Sequence, residues 1–221
     1  MPEELLLGDG TGGLAALLRR AAALDADASA RWQAMGEGAL DVYVTTPFDC
    51  LAARRVRGRA ARDGAAVRAK TLLNAIEAGG ALAPAEPGEP VRLEVGPASD
   101  ASWPGALPPA SGFTERDTIP VGVASRLADE GRALARQFSG PAGPPRSLLD
   151  STVITGDTES GNPVDIPMRM VFACTSLGLI PGFEAPAGVP RHLRVSTRGR
   201  WVRLDAPFGS VYRNSGLGLL F

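Results

Sequence analysis

The stretch GAAVRAKT, Gly64–Thr71, comes within one residue of the phosphate-loop pattern G-x-x-x-x-G-K-[ST] and carries Lys70, the only lysine in the chain. Such a loop wraps phosphates with successive backbone N–H groups, so it needs glycine where Ala69 stands and an apolar strand before it. The residues that precede it are RGRAARD, which no buried strand would use. A helix explains the stretch better. Asp63 can cap it, and Ala69, Leu72, Leu73 and Ile76 then share a buried side at i, i+3, i+4 and i+7, with Lys70, Asn74 and Glu77 opposite. A lysine on the wet side of a helix cradles no phosphate.

GDGTGG, starting at Gly8, matches G-x-G-x-x-G between a short apolar run, Leu5–Leu7, and a helical stretch. Dinucleotide binding also needs a second strand that ends in Asp or Glu about 20 residues further on. That distance falls in SARWQAM, which reads as helix, and the next strand ends in Thr45 and Thr46. A tight turn with Thr11 as helix cap is expected instead. His192 is the only histidine and has no nucleophile near it in sequence. H-E-x-x-H, G-x-S-x-G and Cys/His metal spacings are absent, so neither metal nor cofactor is expected. Asp49 and Cys50 remain as a non-standard catalytic candidate, a thiolate that Arg54 and Arg55 could activate. A cysteine packed at the start of an inward-facing strand is the favoured alternative, because free cysteines are so often buried.

The segment HLRVSTRGRWVRLD alternates cleanly and predicts a β-hairpin. With Arg198 and Gly199 as a two-residue turn, Val195 faces Val202 and Leu193 faces Leu204 on the buried side. Arg194 then faces Arg203 on the other side, with Trp201 beside them, Arg198 and Arg200 at the tip, and His192 opposite Asp205. Like charges directly opposed destabilise a sheet, and a bound phosphate or carboxylate would relieve that. Arg194, Arg198, Arg200, Trp201 and Arg203 are therefore the candidate anion- or partner-binding residues. The competing expectation is a solvated face with guanidiniums stacked on Trp201.

Composition sets the frame for these candidates. The chain has 221 residues, 44% of them hydrophobic and 21% charged, which suits a globular protein with a real core. Its net charge of −1 hides segregation. Arg54 to Lys70 holds six Arg and one Lys against Asp63 alone, and Arg191 to Arg213 holds six Arg against Asp205 alone. Local basic patches matter more for partner choice than the total. No apolar run is long enough for a membrane span, and the acidic N-terminus does not read as a secretory signal. Cys50 and Cys174 lack metal or redox spacing, so a reducing compartment, the cytoplasm, is expected.

An α+β protein is predicted. Residues 1–80 form an N-terminal part with helices and a β-hairpin, whose strands run from Leu40 to Thr45 and from Cys50 to Val56. Residues 81–120 form a proline-rich linker or wrapping segment with one strand, VRLEV. Residues 121–221 form a helical part, closed by the basic hairpin. Within it, DIPMRMVFACTSL is an apolar helix that reads as buried nearly all round.

Arginine accounts for all but one of the 23 basic residues, a bias typical of GC-rich genomes. The layout resembles an uncharacterised protein family of high-GC actinobacteria, which carries no activity to transfer. A helix ending in SLGLI followed by the basic hairpin is similar to the last helix and wing of a winged-helix module. That resemblance implies phosphate contacts from the hairpin, since the apolar helix offers only Arg169, Thr175 and Ser176 to base edges. Three readings follow. The first is a non-catalytic cytoplasmic protein whose hairpin binds a macromolecular partner, an anionic one if its arginines make the contact. The second is a winged-helix-like nucleic-acid-binding protein, and the third an enzyme centred on Asp49 and Cys50.

Overall fold

The computed structural model describes residues 2–83, 88–138, 145–156, 163–182 and 184–214. It is a mixed α/β structure with antiparallel strand pairing in two compact units. Among the described residues, the first unit holds residues 2–47 and 51–110, and the second holds 48–50 and 111–214.

In the first unit, six strands pair antiparallel: β1 (Pro2–Leu7), β2 (Ser29–Ala34), β3 (Ala39–Thr45), β4 (Leu51–Ala60), β5 (Ala66–Arg68) and β6 (Val91–Pro97). Their spatial order is β5-β2-β3-β4-β1-β6. Helices α1 (Thr11–Leu24) and α2 (Ala69–Ala78) pack against each other and the sheet. The core follows the two periodicities of sheet and helix. Leu5 and Leu7 project inward from β1, as do Leu14, Leu17 and Leu18 from α1 and Leu72, Leu73 and Ile76 from α2. Burying each such leucine contributes about 1.5–3 kcal/mol.

Three expectations are corrected here. SARWQAM is not helical: Ser29–Ala34 is strand β2, with Ala30 and Trp32 fully inside and Arg31 and Gln33 partly exposed. Trp32 Nε1 donates to the Arg62 carbonyl at 2.8 Å, which satisfies the indole in the core. Helix α2 begins at Ala69, because Ala66–Arg68 pairs with β2. Asp63 therefore caps nothing and accepts a hydrogen bond from Ala34 N at 2.7 Å. Thr11 is the first residue of α1 and not its cap; its hydroxyl turns back to the Gly8 carbonyl at 2.6 Å. The residue before it is Gly10, at φ +92°, a conformation that favours glycine.

The second unit holds β7 (Thr114–Pro120), α3 (Val121–Phe138), α4 (Arg146–Asp150), β8 (Thr152–Gly156), β9 (Val164–Pro167), α5 (Met168–Ser176), β10 (His192–Arg198), β11 (Trp201–Ala206) and β12 (Gly209–Asn214). Strands β7, β10, β11 and β12 form an antiparallel sheet in that order, and β8 pairs with β9. The β10–β11 hairpin has β7 on one side and β12 on the other. Residues Met168 to Cys174 of α5 are all buried. Helix α3 reaches α5 through Gly131, where a Cβ would stand 2.9 Å from Met168 and Phe172 atoms. Segment 81–120 contributes β6, paired along its length with β1, and β7, paired with β10.

Candidate partner-binding site

The basic hairpin was expected to turn at Arg198 and Gly199. It turns one residue later, at Gly199 and Arg200, with Arg198 opposite Trp201. Gly199 has φ +56°, so glycine occupies the first central position of the turn, where type II′ geometry requires it. Moving the turn by one residue moves every cross-strand partner by two. Each side chain keeps its face, but the neighbours change. Val195 faces Leu204 in the core, and Arg194 faces Asp205, not Arg203. Arg203 lies across from Ser196 and Tyr212. No like-charge pair exists at this point, so the repulsion that an anion would relieve is absent.

The five candidate residues divide into two groups. Arg203 is committed within the unit: Nη2 lies 2.9 Å from Asp205 Oδ2, and the guanidinium sits 4.4 Å above the Phe113 ring. Phe113 in turn meets Tyr212 edge-on at 6.0 Å. Asp205 also accepts from Ser210 Oγ at 2.5 Å. Arg198 donates to the Ser111 carbonyl beside Gly112. Trp201, half-buried, is opposite Arg198 and Asn214. Arg194 and Arg200 remain exposed. Arg194 lines a groove of about 380 Å³ with Pro190, His192, Asp205, Ala206 and Pro207. On the hairpin, Arg194 on one face and Arg200 in the turn are thus exposed, while Arg203 is neutralised internally.

The Asp49–Cys50 candidate is a structural cluster. Arg169, expected among the few polar residues of its helix, has only 5% of its side chain exposed. It donates to Asp49 Oδ2 at 2.5 Å, to the Phe48 carbonyl at 2.8 Å and to Asp150 Oδ1 at 2.6 Å. Burial opposes its charge, but the hydrogen bonds to Asp49 and Asp150 outweigh that and raise its pKa. Asp49 holds φ +52° while it makes this contact. Cys50 is fully buried, and desolvation pushes its thiol from 9.0 up to about 12 despite the pull of Arg169. Almost no thiolate forms near neutrality, so the activation by Arg54 and Arg55 has no counterpart here. Cys174 is raised by burial as well. No sequence signal marked Arg169; its partners lie 19 and 120 residues away.

The first basic stretch is also sorted by the fold. Arg55 grips Asp41 with two hydrogen bonds of 2.7 and 2.8 Å, Arg62 bridges Glu3 and Asp100, and Arg68 pairs with Asp27. Arg54 lies over Gly13 in the first turn of α1, where a Cβ would collide with its guanidinium. Lys70 is exposed on α2, as expected. The G-x-G-x-x-G match leads into antiparallel strands, not the parallel unit that dinucleotide binding needs.

Residues 108–218 match the family described as Domain of unknown function (DUF8185). The chain belongs to this family. Residues 1–104 match a second one, Domain of unknown function (DUF8010). No curated protein matches the chain in sequence. In structure it is similar to the DNA polymerase sliding clamp from Caulobacter crescentus, with a TM-score of 0.57 and 11% identity, over 97% of this chain and 65% of that one. The DnaN sliding clamp from Bartonella birtlesii gives 0.53 and 11%, over 96% and 64%, and that from Pseudomonas aeruginosa gives 0.53 and 11%, over 97% and 64%. The DUF8185 chain therefore has a sliding-clamp-like fold and spans 64–65% of the length of these clamps.

Proposed function

We propose that the DUF8185 chain is a non-catalytic protein that binds a macromolecular partner in a DNA-associated setting. The observation that carries this is the similarity of nearly the whole chain to DNA polymerase sliding clamps. We place the contact on the hairpin, at Arg194 and Arg200 with Trp201, because both guanidiniums are exposed while Arg203 is held by Asp205 and Phe113. Exposed guanidiniums suit an anionic partner. A cytoplasmic location fits two buried cysteines that share no disulfide. Among the described residues, no helix is long and apolar enough to cross a membrane.

A second reading, nucleic-acid binding by a winged-helix-like segment, is favoured by the exposure of Arg194 and Arg200. Phosphate contacts of this kind weaken steeply with salt. The test is binding of the purified protein to mixed-sequence DNA, RNA and polyglutamate across a salt series, beside an Arg194→Glu/Arg200→Glu variant. Binding to any of them that the variant loses supports the hairpin, and the ligand bound identifies the class of partner. No binding at low salt, or binding that the variant does not weaken, overturns it.

A further inference from the structure

We infer that the first unit carries a separate docking trough for an extended acidic peptide, centred on Arg57 and Arg59 of β4. The fold identifies these two residues by elimination. Arg55, Arg62 and Arg68 hold carboxylates, and Arg54 lies against α1. Arg57 makes only a long contact, 3.3 Å, with the Glu37 carbonyl. Arg59 makes no hydrogen bond or ion pair among the described residues. Both are exposed on the same face of β4, two residues apart, hence about 7 Å along the strand. An extended peptide presents alternate side chains at that same spacing.

Two adjoining hollows flank Arg57. One, of about 370 Å³, is lined by Leu6, Gly8, Gly38, Gly58 and Arg59 among others. The other, of about 420 Å³, includes Met35, Gly36, Glu37 and Arg55. Asp9 and Arg57 line both. Gly36 and Gly38 have φ of +77° and +73°, and an added Cβ on either would meet nothing within 4 Å. Bare backbone therefore faces open space beside the arginines, with Leu6 and Met35 as apolar floor. A main chain can approach such walls closely.

Charge decides the class of occupant. Asp9 and Glu37 lie among the arginines, so a continuous run of phosphates would meet repulsion at each of them. No aromatic side chain lines either hollow to stack a base. A peptide can set its acids against Arg57 and Arg59 and offer backbone N–H groups to Asp9. This trough does not depend on the hairpin reading.

The experiment uses the full chain, a fluorescein-labelled peptide of alternating Glu and Ser about ten residues long, and roughly 50 mM salt. A Gln/Ser peptide and an oligo-dT of similar length serve as controls. The expected result is anisotropy-detected binding of the Glu/Ser peptide only, weakened roughly tenfold in an Arg57→Ser/Arg59→Ser variant. Both forms, with and without the trough substitutions, are measured in the Arg194→Glu/Arg200→Glu background, so that an anion held at the hairpin adds nothing to the signal. Absence of peptide binding in that background, or equal binding by the trough variant, overturns the trough. Preferential oligo-dT binding that the trough variant loses replaces the peptide with nucleic acid.

Discussion

The two arginine-rich stretches look alike in sequence and are treated differently by the fold. Around β4, the neutralising carboxylates come from remote segments: Asp41 on β3, Glu3 on β1, Asp27 after α1 and Asp100 in the loop after β6. In the C-terminal stretch a single acid on the same strand, Asp205, and the Phe113 ring serve Arg203, and backbone carbonyls accept from Arg198 and Arg191. A run of like charge in sequence is therefore a poor map of surface potential. The arginines of the two proposed sites are exposed: Arg57 and Arg59 in one unit, Arg194 and Arg200 in the other.

The asymmetry of the Arg55–Asp41 pair tests this most sharply. Asp41 has 6% of its side chain exposed and Arg55 has 60%. Arg55→Ala strands a buried carboxylate and should cost about 3 kcal/mol in a urea melt, whereas Asp41→Asn frees an arginine that water can receive and should cost about 1 kcal/mol. Equal losses would remove the distinction between neutralised and surplus arginines.

In the hairpin, Asp205→Ala removes both the Arg203 pair and the Ser210 bond, and about 2 kcal/mol of stability should go with them. If the variant melts like the parent protein, Phe113 alone holds Arg203. Acid gives a smaller effect at the β4 end. The Arg62 hydrogen bond, with help from Ala66 N–H, holds Asp100 below the usual carboxylate range. Its contribution is complete above the unfolded value of about 3.9 and is lost as pH falls through the lower folded value. Asp100→Asn should therefore lower stability slightly at neutral pH and flatten the acid limb of the profile below about pH 4, so that variant and parent converge in acid. The smallest change belongs to the surplus set. Arg57→Ser/Arg59→Ser should shift stability by no more than about 0.5 kcal/mol, measured in the same melts. A larger loss would mean that these residues are structural after all.

Much of the fold was legible where one periodicity dominates. Val42 and Val44 on β3 pair with Arg54 and Ala52 in the expected hairpin. Ala69, Leu72, Leu73 and Ile76 are buried as their spacing requires, and α5 is buried nearly all round. SARWQAM misled because alanine, glutamine and methionine favour helix, while Trp32 is held in a strand by tertiary packing and by the Arg62 carbonyl. The hairpin's faces were readable and its register was not, since a glycine next to either neighbour suits a two-residue turn until its φ is known. The ion pairs were invisible for a simpler reason. Arg62 meets an acid 59 residues away and Arg169 one 120 away, distances that only folding brings together.

Asp49 has a consequence for anyone who divides this chain at residue 110 or at the limits of its two family matches. Residues 48–50 belong with the second unit. A fragment that starts at Ser111 would carry Arg169 without Asp49 or the Phe48 carbonyl, its charge still enclosed and two of its three acceptor groups missing. Such a piece would have an intact sequence but an unbalanced interior. The boundary of the second unit is thus set by where a cation finds its anions, and three residues of the early chain belong to the later half's interior.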